Sequence, residues 1–161
     1  MTLQNTARHL IRVACAVAVF AFGACSKPIP AASRLPSDAL DHAIGDVIGD
    51  PATCVMVAER ATRKVVYRYG DDFNCVRGLA ACDRPGTLSA KAALALADTA
   101  DGRGASCPSN ADASRTVGWA EGRVDRPGRD LIYSAVMEGQ TALPGQEISA
   151  RLAQAFQHAG L

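Results

Sequence analysis

An α+β domain on an antiparallel sheet is the fold this sequence predicts, and three observations carry the prediction. Apolar residues recur at helical spacing near both ends of the 137 residues after position 24. Two pairs of β-branched and aromatic runs are separated by polar turn residues, and one alanine-rich segment lies between the pairs. The order is therefore helix, two strands, helix, two strands, helix. It suits a sheet whose N- and C-terminal helices share one face and leave the other to the middle helix. A chain of this length makes one domain with a modest core, and not two.

Each element has its own warrant. Leu40, Ala43, Ile44, Val47 and Ile48 fall on one helical face; Ser37 stands where a cap is needed, and Gly49 before Asp50-Pro51 stops the helix. Residues 52–60 and 65–70 predict a hairpin turned by Thr62-Arg63-Lys64. The first of these strands is apolar on both faces, which places it centrally. After a loop holding Cys75 and Cys82, residues 87–98 predict a helix, with six alanines and leucines at 92–97 and Thr87 as its cap. Thr99 to Ala113 reads as loop. A second hairpin follows, 115–124 and 130–138, turned at Asp125-Arg126-Pro127-Gly128. The last helix carries Ile148, Leu152, Ala155, Phe156 and Ala159 as its stripe, with Gly160 past its end.

The N-terminal head has a different character. It carries Arg8 and Arg12, has no acid before Asp38, and runs uncharged from 13 to 26. Fourteen residues are too few to span a bilayer, which takes about 20, but they suit a secretion signal. Gly23-Ala24-Cys25 resembles a bacterial lipobox, with Phe22 where a Leu is usual. The expectation is a signal peptide over 1–24, a lipidated Cys25 on an extended tether over 25–36, and a folded domain over 37–161. Ordinary cleavage after Ala21-Phe22-Gly23 is the other reading. Pro28, Pro30 and Pro36 stiffen the tether, which at about 3 Å per residue reaches about 30 Å from the bilayer. Ser26, rather than Asp, follows the lipid site, and resemblance to sorted lipoproteins implies the periplasmic face of the outer membrane in a Gram-negative cell.

Cysteine usage agrees with that compartment. With Cys15 removed and Cys25 acylated, Cys54, Cys75, Cys82 and Cys107 remain, an even set that reads as two disulfides with three pairings open. No C-x-x-C occurs and His9, His42 and His158 are scattered, so neither a metal site nor a cofactor is expected. Net charge falls from +1 to −1 once Arg8 and Arg12 leave, and no basic patch argues for nucleic acid.

The hairpin TCVMVAERATRKVVYRYG, the strand Val117-Gly118-Trp119-Ala120-Glu121-Gly122 and the C-terminal amphipathic helix together resemble the sheet domain of class D β-lactamases and penicillin-binding transpeptidases. The resemblance implies a Ser one helical turn before a Lys as nucleophile and base. Here Ser89 and Lys91 are two apart, about 200° around a helix, and cannot meet; Thr87 is four before Lys91. A K-T-G or K-S-G triplet is missing, Ser134-Ala135-Val136 lies inside a strand, and residues 99–113 stand where those enzymes insert a helical domain.

Other constellations are no stronger. His42 and His158 sit on separate helices, Asp71-Asp72 reads as a turn, and Gly102-Arg103-Gly104 is too short for a phosphate loop. Trp119 with Tyr67 or Tyr69 offers a stacking platform, but its setting beside Val117 and Gly118 suits core packing better. The expected function is a non-catalytic envelope lipoprotein, held to the bilayer through acylated Cys25, that binds a cell-wall enzyme, a toxin or peptidoglycan as an inhibitor or immunity-type module. The alternative is a penicillin-recognising serine hydrolase with degenerate motifs.

Overall fold

The computed structural model describes residues 35–49, 51–97 and 102–161. Cys25, the signal segment and the tether up to residue 34 lie outside the described residues. The elements are α1 (Ser37–Val47), β1 (Thr53–Glu59), β2 (Val65–Tyr69), α2 (Asp72–Val76), β3 (Leu79–Ala80), β4 (Thr87–Leu88), α3 (Ala90–Leu96), β5 (Arg103–Pro108), β6 (Thr116–Arg126), β7 (Arg129–Gly139) and α4 (Gly145–His158). Five strands form one antiparallel sheet in the order β2-β1-β7-β6-β5, while β3 and β4 form a small hairpin of their own.

The two faces of this sheet are sorted by the period of two along each strand. Val55 and Val57 of β1 and Leu131, Tyr133, Ala135 and Met137 of β7 point one way, onto Leu40 and Ile44 of α1 and Ile148, Leu152 and Phe156 of α4. Their alternates Cys54, Met56, Ala58, Ile132 and Val136 point the other way, with Trp119 of β6, onto Cys75 of α2 and Ala90, Ala93 and Leu94 of α3. Both terminal helices thus share one face and the middle helix takes the other, as the apolar stripes predict. Each fully buried Leu or Ile is worth roughly 1.5–3 kcal/mol of transfer free energy, so the helices need little intrinsic stability.

Four local readings are corrected. Part of the supposed loop from Thr99 to Ala113 is β5, paired with β6 from Arg103↔Glu121 to Pro108↔Thr116. Its sequence, RGASCP, has no apolar alternation because it lies at the sheet edge, where a proline costs no ladder bond. The middle helix starts at Ala90: Ser89 Oγ accepts from Ala92 N at 3.2 Å, and Thr87 belongs to β4. Asp71 caps a short helix rather than a turn, its Oδ1 accepting from Asn74 N at 2.8 Å. Ser37 is the first residue of α1, which begins at Pro36 without a side-chain cap.

Leu35, at the end of the expected tether, already packs against the core. Gly49, at φ +56°, ends α1. Arg63 in the first hairpin turn reaches the far end of α3, donating to Leu94 O at 3.3 Å and Ala97 O at 2.8 Å. That is a cation on the unsatisfied carbonyls of a helix C-terminus.

The four cysteines pair as Cys54–Cys75 and Cys82–Cys107. The first bridge pins α2 to β1, and the second pins the β3–β4 hairpin to β5. Three glycines fix where α4 lies. A Cβ on Gly104 would stand 2.3 Å from Gln146 N, one on Gly118 2.1 Å from Leu143 O, and one on Gly145 2.0 Å from Trp119 O. The first turn of α4 therefore rests on the bare backbone of β5 and β6, and Ser106 Oγ accepts from Gly145 N at 2.8 Å there.

Candidate functional site

A cleft of about 320 Å³ opens at the edge of the sheet between α3 and the β3–β4 hairpin and reaches Gln146 in the first turn of α4. That is the lower end of the range for small-molecule sites. Its floor follows from strand alternation: Trp119 and Glu121 of β6 lie beside Ala105 and Arg103 of β5, all on the face away from α4. Leu88 of β4 and Ala93 of α3 supply apolar wall, and Asp83-Arg84 in the hairpin turn supply the rim. Trp119 is buried and its Nε1 donates to Ala80 O at 2.7 Å, so the indole serves the core and the cleft floor together. Tyr67 packs on the opposite face and donates to Asp41 Oδ1 at 2.7 Å. The joint Trp–Tyr platform is therefore not formed.

The charges divide into a closed pair and an open one. Arg84 donates from Nε to Asp83 Oδ1 at 2.8 Å and from Nη2 to Oδ2 at 2.6 Å. That fork holds the Asp83 carboxyl below its usual range and raises the Arg84 guanidinium. Glu121 behaves in the opposite sense. Burial pushes its carboxyl up, and the Arg84 and Arg103 guanidiniums only partly offset this. Arg103 faces Glu121 across the β5–β6 ladder, and neither side chain has a hydrogen bond among the described residues. A half-buried carboxyl and a guanidinium thus stand side by side on an apolar floor.

Among the described residues no Ser, Thr, Cys, His or Lys lines this cleft. The residues considered as nucleophile and base lie elsewhere. Ser89 caps α3, and Lys91 borders a separate groove with Met56, Val65 and Val76. Ser134 is buried in β7 and donates to Ala90 O at 2.7 Å, which ties the sheet to α3. His42 pairs with Asp46 at 2.8 Å on the exposed side of α1, and His158 stands in the last turn of α4. The described residues hold no cluster of three His, Cys, Asp or Glu suited to a metal, and no helix among them is long and apolar enough to cross a membrane.

A second charged group escaped the sequence reading. Glu138, near the end of β7, is buried, and Arg115 forks onto it with two bonds of 2.7 Å. Ser109 donates at 2.7 Å and Arg77 at 3.3 Å. The Arg115 bonds, helped by Ser109 and Arg77, hold its carboxyl down at about 2 against the cost of burial. A charge at the position where Ile132, Ser134 and Val136 set the buried face was the available signal. Its job is structural, since it joins the 109–115 loop and the end of α2 to the sheet.

Compared with protein-family models, curated proteins and solved structures, the chain matches none.

Proposed function

We propose that this chain is a lipid-anchored binding domain of the bacterial envelope, acylated at Cys25, which seats its ligand in the cleft over Trp119 and performs no chemistry there. One observation carries the reading: the cleft combines an apolar floor with Arg103 and Glu121 facing each other across the β5–β6 ladder, and the nearby hydroxyls of Ser89 and Ser134 are held by α3. Such a site offers recognition and no activated nucleophile. The Gly118-Trp119 strand, the following hairpin and the last helix favour kinship with the sheet domain of penicillin-recognising enzymes, as a reduced relative. The proposed ligands are a cell-wall component or a protein that acts on the wall.

The test uses the single tryptophan of the chain. Soluble peptidoglycan fragments titrated into the protein should change Trp119 emission saturably, and Arg103→Glu, an exposed edge substitution, should weaken the response. A fluorescent penicillin or a fluorophosphonate should leave no adduct that survives denaturation. A covalent adduct would replace this reading with the serine hydrolase one.

A further inference from the structure

We infer that the Cys82–Cys107 disulfide is a thiol-exchange site, and that its reduction by a dithiol opens the cleft while Cys54–Cys75 stays closed. The effect on ligand rests on the cleft being the binding seat; the exchange itself does not.

The two bridges differ in access. Cys54 and Cys75 are 0% and 1% exposed, between β1 and the helices α2 and α3. Cys82 and Cys107 are only half-buried, and their surroundings are open: Asp83 to Thr87 are all exposed, as are Ser106 and Pro108 on the sheet edge. A disulfide is reduced only where a thiolate can approach one sulfur along the S–S axis, so the outer bridge meets an external reagent first.

The outer bridge also holds the cleft wall. Cys82 directly precedes Asp83-Arg84 of the rim, and Cys107 lies two residues beyond Ala105 of the floor. The β3–β4 hairpin is only two residues deep, and its turn bonds, Ala81 N to Gly86 O and Arg84 N to Ala81 O, are internal to it. Among the described residues, the specific ties of this hairpin to the sheet are the disulfide, the Trp119 Nε1 bond to Ala80 O and a 3.8 Å contact of Cys82 Sγ with Val117 O, beside apolar packing and the attraction of Arg84 for Glu121 and of Asp83 for Arg103 across the exposed rim. Cleaving the bridge therefore leaves the wall on its apolar packing, one good hydrogen bond and exposed charge attraction, with no covalent tie to β5.

The chemistry balances as ordinary exchange. A thiolate of the dithiol attacks one sulfur to form a mixed disulfide, and the other cysteine leaves as a thiolate that takes up a proton. The second thiol of the reagent then closes on the first, releasing the remaining cysteine. Two electrons pass from dithiol to disulfide.

The full mature chain is titrated with dithiothreitol under native conditions, quenched by alkylation and mapped by mass spectrometry. Cys82 and Cys107 should label together at about tenfold lower reagent than Cys54 and Cys75, with far-ultraviolet dichroism unchanged and amide exchange rising about tenfold over 83–88. Simultaneous reduction of both bridges, earlier reduction of the inner one, or loss of the sheet on opening the outer one overturns the inference. The double variant Cys82→Ser, Cys107→Ser should fold, keep Cys54–Cys75 and exchange as fast as the reduced protein; failure to fold counts against the proposal. Binding of soluble peptidoglycan fragments separates the two readings. If the wild type binds and the double variant binds equally, the gate fails and the cleft stands. If the wild type binds none, the cleft reading and the gate fall together, and only the order of reduction survives.

Discussion

Acid should weaken this domain through Glu138, and the size of the effect follows from its surroundings. Its carboxyl titrates near 4.5 when free and is held at about 2 in the folded protein by Arg115, Ser109 and Arg77. A carboxylate with a lowered folded value contributes stability above its unfolded value and loses it as pH falls through the folded one. The contribution is therefore complete above about pH 5 and declines toward pH 2. At 1.36 kcal/mol per unit the full difference is about 3 kcal/mol, an upper figure because Arg115 is half-exposed and its field is screened by water. About 2 kcal/mol of it should be gone at pH 3. Other carboxylates titrate over the same range, so the comparison is with Glu138→Gln, which has no proton to gain at that site. Urea unfolding at pH 7 and pH 3 should show the wild type losing about 2 kcal/mol more than the variant between the two conditions. Parallel losses in the two proteins would refute the assignment of Glu138 as an acid-sensitive clamp.

Trp119→Ala should cost about 3–5 kcal/mol, read by denaturant melts, since it removes a buried indole and leaves Ala80 O without its donor. Ser89→Ala should cost about 1 kcal/mol and nothing else, because its hydroxyl is a helix cap; a larger loss, or a change in reactivity toward penicillins, would contradict this. Cys25→Ala should abolish lipid attachment and release the protein from the membrane fraction, and equal membrane association of the two forms after signal removal would end the lipoprotein reading. Alkylation of the untreated native protein should find no free thiol among Cys54, Cys75, Cys82 and Cys107.

The parts of the fold legible in the sequence are those whose residues speak through period. Leu40 with Ile44, and Ile148 with Leu152, Ala155 and Phe156, announce two helices by spacing alone, and the doubly apolar β1 announces its central place. The edge strand β5 was hidden because a strand with one neighbour and an exposed flank needs no alternation, and because Gly104 serves α4 rather than β propensity. Short α2 was hidden for a different reason: five residues held by an Asp71 cap and the Cys54–Cys75 bridge carry no periodic signal. The cleft was less legible still. Arg103, Trp119 and Glu121 are each visible in the sequence, but Arg103, Glu121 and the pair Asp83 and Leu88 come from three separate stretches. The pairing of β5 with β6, the Cys82–Cys107 bridge and the Trp119 bond to Ala80 O bring them together.

The seam where α4 rests on β5 and β6 divides the labour of one strand between its two sides. On the helix side, Gly104 and its neighbours Gly118 and Gly145 admit no side chain at all, so the spacing of helix and sheet is set by main-chain atoms. On the cleft side, Arg103 and Ala105 face outward from the same backbone. Changes there alter what the floor presents without moving the floor. Under the proposed binding role, substitutions at Arg103 and Ala105 should change ligand preference while the three glycines hold the frame still and Cys107, on the same face, stays in its bridge.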